Sequence, residues 1–222
     1  MKAQSNGKSG EVWVYGEIGD DGWLGGIGAK EFADQVNGLD VEELAVHINS
    51  PGGDWADGVA MHTTLVRHPA KVTVTVDGLA ASAASFVAMA GDEIEIAKGA
   101  FMMIHNPWTI AMGDARELRA AAENLDKITD SVVRMYVDRT GQDKQNVVDL
   151  LNEETWLNAE DAVELGFATS IMDQEAVTVA CDESYFAAIP EEAKIAAHAV
   201  PPQVAWRREI AKRVLTLRRQ SR

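Results

Sequence analysis

The chain has 222 residues, enough for one α/β domain with a full core, and its 46% hydrophobic and 25% charged residues are ordinary for a soluble globular protein. A net charge of −15 disfavours nucleic acid as a partner, no apolar run reaches the length of a membrane span, and residues 1–10 lack the apolar core of a signal peptide. The single cysteine, Cys181, excludes an internal disulfide and fits a cytoplasmic setting, while the five scattered histidines form no zinc-ligand pattern, so neither metal nor cofactor is expected.

In chain order, Glu11–Gly16 alternates like a strand, and Gly16–Gly28 is a glycine-rich loop. The spacing of Phe32 and Val36 predicts a helix over Ala29–Leu39. Leu44–Asn49 is a short apolar strand that ends in a Pro-Gly-Gly turn, followed by a helix from Asp54 to His68, where Pro69 stops it and His68 reads as a C-terminal cation. Lys71–Asp77 is a β-branched strand. Ala80–Ala90, small and apolar throughout, predicts a buried helix with Gly91 as its stop. Short strands follow at Glu93–Ala97 and Phe101–Ile104.

One long amphipathic helix is predicted over Asp114–Thr140, with Leu118, Ala122, Leu125, Ile128, Val132, Met135 and Tyr136 on its apolar stripe and Gly141 as C-cap. Asp143–Leu151 reads as a shorter helix, Trp156–Leu157 as an extended pair, Asn158–Leu165 as an N-capped helix and Ala168–Met172 as a final strand. Strands alternating with helices imply a largely parallel α/β arrangement. Beyond Asp173 the pattern loosens, with an edge strand expected at Ala176–Cys181, a weak helix at Ile189–Ala199 and a break at Pro201–Pro202. Trp206, Ile210, Val214 and Leu217 then recur at helical spacing. Seven basic residues against Glu209 give 206–222 a net charge of +6, which leaves −21 of the total −15 on the rest of the chain.

Three short motifs carry chemistry: Asn-Ser-Pro-Gly-Gly at Asn49–Gly53, Gly-Leu-Ala-Ala-Ser at Gly78–Ser82, and Met-Ile-His-Asn-Pro at Met103–Pro107. Serine-based acyl transfer needs a nucleophile, a general base and amides for the oxyanion, and these motifs supply Ser82, His105 and a glycine turn. The alanines around Ser82 let the chain turn tightly from strand into helix, leaving the amide of Ala83 at the helix start. Ser85 lies one turn further in and is expected to be buried. His105 ends an apolar strand before Asn106-Pro107, which forces a turn. His47, His62, His68 and His198 have no comparable setting. Gly52 and Gly53 can adopt backbone angles closed to other residues, so a turn there can aim the amide of Gly53 into a site. An orienting carboxylate completes such a site, and Asp149, Glu153 and Glu154 all lie within reach of Trp156 in sequence.

These motifs, with Trp156-Leu157-Asn158-Ala159 and Ala162-Val163-Glu164-Leu165-Gly166, resemble the Clp-type serine peptidases over Val12–Met172. The resemblance implies a ClpP/crotonase-like α/β fold of repeated β-β-α units with a long handle helix. It implies Ser82 as nucleophile, His105 as base and the amides of Gly53 and Ala83 as oxyanion hole. The family's aspartate falls at Glu154, with Glu153 as the alternative. The wording Gly-Leu-Ala-Ala-Ser-Ala-Ala-Ser, Met-Ala-Gly-Asp and His-Asn-Pro-Trp is most similar to Clp-related head maturation proteases of tailed phages and prophages, which process capsid and scaffold proteins in the assembling prohead. A homo-oligomeric ring, singly or stacked, is therefore expected in the host cytoplasm or prohead, acting without ATP.

The expected organisation is a protease domain at 11–172, a weakly structured linker at 173–205 and a basic amphipathic helix at 206–222 that either docks on scaffold or capsid protein or on a neighbouring subunit, or is simply a solvated terminal helix. No counterpart of the family's pore-lining N-terminal segment is read in the sequence. The competing readings are a housekeeping Clp subunit serving an ATP-driven unfoldase, a catalytically silent ring subunit or scaffold, and a crotonase-type acyl-CoA enzyme.

Overall fold

The computed structural model describes residues 2–19 and 26–175, together with the pairs 180–181 and 196–197. It is a mixed α/β fold. The strands are β1 (Lys2–Asn6), β2 (Ser9–Tyr15), β3 (Glu43–Ser50), β4 (Lys71–Ala81), β5 (Glu93–Lys98), β6 (Phe101–Ile104), β7 (Thr155–Leu157) and β8 (Ser170–Glu175). The helices are α1 (Ala29–Asn37), α2 (Trp55–Arg67), α3 (Ala83–Ala88), α4 (Ala115–Thr140), α5 (Lys144–Glu153) and α6 (Ala159–Glu164). The main sheet runs β1-β2-β3-β4-β5-β8, parallel except for the β1–β2 hairpin, which the sequence reading did not include.

Strand alternation separates two faces of this sheet. Val12, Val14, Val46, Ile48, Val74, Val76, Ile94 and Ile96 point into the core, together with Phe32 and Val36 of α1 and Met61 and Leu65 of α2. On the other face Trp13 stacks on His47 with ring centroids 5.4 Å apart. Tyr15 Oη donates to Asp77 at 2.8 Å, and His47 Nδ1 lies 3.2 Å from the same carboxylate oxygen.

The largest departure from expectation concerns Ala80–Ala90. β4 continues to Ala81, and α3 begins only at Ala83. Alanine favours helix by a fraction of a kcal/mol, whereas Leu79, Ala80 and Ala81 pair with Phe101, Met102 and Met103 of β6, and that ladder prevails. The strand thereby delivers Ser82 to a sharp strand-to-helix junction.

α4 has the expected ends. Asp114 and Glu117 form a capping box, and Gly141 closes the helix at φ 69°. Its apolar stripe is buried only in the second half, at Val132, Val133 and Tyr136, while Leu118 stays 45% exposed. The first half projects past the body, so burial cannot follow the pattern there. His68 ends α2 with its Nδ1 3.2 Å from the Ala70 amide nitrogen and its Nε2 3.2 Å from Leu39 O.

In the remainder, β9 (Ala180–Cys181) pairs in parallel with β10 (Ala196–Ala197). At 196–197 the backbone is thus extended rather than helical, because the pairing supplies its hydrogen bonds. The rest of the expected 173–205 segment beyond Glu175, and all of 206–222, lie outside the described residues.

Candidate active site

Four elements converge at the end of β4. The chain leaves that strand through Ser82, whose φ of 51° and ψ of −122° are rare for a residue with a side chain. Its amide donates to Met103 O at 2.8 Å, which ties the elbow to β6. His105 follows β6 directly and is 5% exposed, and its Nε2 stands 2.8 Å from Ser82 Oγ. That is hydrogen-bond length between a hydroxyl and an imidazole.

The antiparallel register of β6 and β7 sets Met102 opposite Leu157, Met103 opposite Trp156 and Ile104 opposite Thr155. One step further along the same register, His105 faces Glu154. Glu154 Oε2 is 3.9 Å from His105 Nδ1, an ion-pair separation longer than a hydrogen bond, and Glu154 is 7% exposed. Glu154 is the left-handed C-cap of α5, at φ 53°. Asn106 braces this junction, its amide donating to Leu151 O at 3.2 Å and its side chain to Asn152 Oδ1 at 2.7 Å. Of the three carboxylates weighed from sequence, Glu154 is the one brought to the imidazole. Glu153 and Asp149 are exposed, and Asp149 accepts from Gln145 Nε2 at 2.9 Å.

The Pro-Gly-Gly turn reaches the site from β3. Ser50 Oγ accepts from the Gly52 amide at 3.1 Å, and Asn49 Oδ1 accepts from the Leu79 amide at 3.1 Å, fixing the turn against β4. Both glycines are required. A Cβ on Gly52 would stand 2.4 Å from Ala81 O and 2.8 Å from Ser82 Cβ, and one on Gly53 would stand 2.0 Å from Ile18 O. Ile18 N donates to Gly52 O at 2.8 Å, and Asp54 N donates to Ile18 O at 2.9 Å. In this parallel bridge Ile18 uses groups on either side of Gly53, so the N–H of Gly53 is directed away from Ile18.

Ser85 is buried, as expected from its place in α3. Its contacts were not foreseen. Ser85 Oγ lies 2.5 Å from Ser82 O and 2.6 Å from the hydroxyl of Tyr136, which is fully buried in α4. Burial pushes the Tyr136 phenol well above its ordinary range, so it stays protonated at any working pH. The only sequence signal was the three-residue offset of Ser85 from Ser82.

A serine hydroxyl against an imidazole, with a carboxylate behind it, is the arrangement of a serine hydrolase. The comparisons with known proteins name the class more closely. The family model described as Clp protease matches residues 30–175. The ATP-dependent Clp protease proteolytic subunit of Ligilactobacillus salivarius (strain UCC118) is 31% identical over 163 residues, covering 72% of this chain and 82% of that protein. A ClpP1 mutant from Listeria monocytogenes has the same fold, with a TM-score of 0.65 at 22% identity over 74% of this chain and 91% of that one. The chain belongs to the Clp protease family and is a serine endopeptidase.

Proposed function

We propose that Ser82 is the nucleophile, His105 the general base, Glu154 the orienting acid, and the amides of Gly53 and Ala83 the oxyanion hole. The 2.8 Å approach of His105 Nε2 to Ser82 Oγ, at a strained elbow, carries this reading. His105 takes the hydroxyl proton as Oγ attacks the peptide carbonyl. The oxygen anion is held by the two amides, and the imidazolium faces Glu154. Nε2 then returns the proton to the leaving amine, and water, activated by the same nitrogen, hydrolyses the acyl-enzyme. No step calls for a metal or nucleotide.

The substrates on this reading are capsid and scaffold proteins, cleaved without ATP inside a homo-oligomeric ring in the host cytoplasm or the prohead. Support comes from the motif wording around Ser82 and His105. The half-exposed stripe of α4, with Leu118 and Leu125 toward its start, is the surface through which copies would meet. The protease domain is assigned to 11–172 and a separate docking role to 206–222. Among the described residues no helix is long and apolar enough to cross a membrane.

Incubating wild type and Ser82→Ala with candidate capsid and scaffold proteins tests the reading. Cleavage by wild type alone supports it, and cleavage by both or by neither overturns it. A second reading, a subunit working with an ATP-driven unfoldase, is favoured by the similarity to the ATP-dependent Clp protease proteolytic subunit of Ligilactobacillus salivarius. Stimulation of protein degradation by an unfoldase plus ATP would select it.

A further inference from the structure

Ser82, Ser85 and Tyr136 form a buried chain of hydrogen bonds whose direction is determined. Ser82 O can only accept, so the Ser85 hydroxyl donates to it, and the Tyr136 hydroxyl must then donate to Ser85 Oγ. Ser85 and Tyr136 are both 0% exposed, so bulk solvent reaches neither group. The tyrosine ring is held between Phe86, at 5.8 Å between centroids, and Phe167, at 5.5 Å. The Ser85 amide also donates to Ser82 O, at 3.0 Å.

The carbonyl so gripped shares a planar trans peptide with the Ala83 N–H. Fixing the C=O direction fixes the N–H direction opposite to it. Hydrogen bonds accepted by the oxygen also draw charge through the amide and make its N–H a stronger donor. The backbone at Ser82 is rare and strained, so the orientation of this plane needs such a restraint.

We propose that Ser85 and Tyr136 are positioning residues that aim and polarise the Ala83 amide toward the oxyanion. The inference rests on Ala83 serving as an oxyanion donor. Neither side chain touches substrate. Their effect is on the transition state, where the oxygen carries charge, and not on ground-state binding.

Tyr136→Phe, Ser85→Ala and the double variant test it on a short fluorogenic peptide, beside wild type and Ser82→Ala. Removing an oxyanion donor outright costs about 10²–10³-fold in kcat, so loosening one is expected to cost about tenfold, with KM unchanged. Affinity for a peptide boronate, whose tetrahedral adduct places an oxygen in the hole, falls by the same factor. The apparent pKa of the kcat/KM profile does not move, because His105 is untouched. The double variant is no slower than Ser85→Ala, since loss of the Ser85 hydroxyl already disconnects Tyr136 from the Ser82 carbonyl.

Wild-type kcat in the relay variants, a loss confined to KM, or a kcat loss without matching loss of boronate affinity overturns the proposal. If Tyr136→Phe does not fold, Ser85→Ala, which places a strong helix former in α3, decides by the same readouts. Hydrolysis persisting in Ser82→Ala overturns the reading of the site and this inference together. Ser82-dependent hydrolysis with unaltered relay variants overturns the inference alone.

Discussion

Ser82 and Glu154 are the two non-glycine residues at positive φ among the described residues, at 51° and 53°. They flank one imidazole, the first at 2.8 Å from Nε2 and the second at 3.9 Å from Nδ1. Backbone of this kind costs about 1–3 kcal/mol per residue and persists only where its surroundings impose it. At Ser82 the β4–β6 ladder and the grip on its carbonyl do so. At Glu154 the constraint is the short passage from α5 into β7, where Thr155 Oγ1 donates to Leu150 O at 2.7 Å.

Glu154→Asn separates strain from chemistry. Asparagine enters the left-handed region more readily than glutamate, so the melting temperature is expected to equal or exceed that of wild type. The imidazolium loses its counter-charge, and kcat/KM falls by about 10²–10⁴-fold. Paired thermal melts and peptide hydrolysis check this, and full activity with lowered stability would contradict it.

Gly53→Ala asks for a Cβ 2.0 Å from Ile18 O at a φ of 146°. The bridge to Ile18 must open, turning the Gly53 amide away from its aim. A stability loss of about 1–3 kcal/mol and a kcat loss of about 10²-fold or more are expected. Denaturant unfolding and single-turnover kinetics read the two effects separately.

Leu118→Glu probes the exposed half of α4. Leu118 is 45% exposed within one chain, so the change is expected to cost the isolated subunit less than about 0.5 kcal/mol. Where copies meet through this stripe, a buried carboxylate is far more costly, and sedimentation should show smaller assemblies. An unchanged sedimentation profile would exclude this face as the contact.

The His47–Asp77 pair is expected to be pH-dependent. Its hydrogen bond to Asp77 holds the His47 pKa above the ordinary 6.5, outweighing partial burial. A raised folded-state pKa gives stability that is fully present below about pH 6.5 and lost as pH rises through the folded value. Asp77→Asn keeps an acceptor for Tyr15 and removes the charge. The wild type should therefore exceed this variant by about 0.5–1 kcal/mol at pH 5.5, and by less at pH 8.5, in urea unfolding.

Much of the site is legible in the linear chain because its parts are local. Gly52 and Gly53 mark a turn that no other residue fits, Ser82 sits among alanines that permit an elbow, and His105 closes an apolar strand before proline. The ends of α4 are equally local, since Asp114, Glu117 and Gly141 act within one turn of the positions they cap. Where propensity and pairing competed, at Ala80 and Ala81, the one-dimensional reading chose helix and the sheet chose strand. A partner strand at residues 101–103 cannot be weighed from the alanines themselves.

Residue types and spacing thus determine a serine, an imidazole and a glycine turn at strand ends, along with the α/β order of elements, because each depends on interactions within a few residues. Local spacing left Asp149, Glu153 and Glu154 open and the family resemblance pointed to Glu154; the tertiary structure is what brings Glu154 to His105. That outcome follows from the register of β6 on β7, and register is set by the burial of whole strands. It likewise decides that Tyr136, 51 residues from Ser85, closes the hydrogen-bond chain behind the elbow. Such pairings are sums over many packed contacts, and no local pattern contains them.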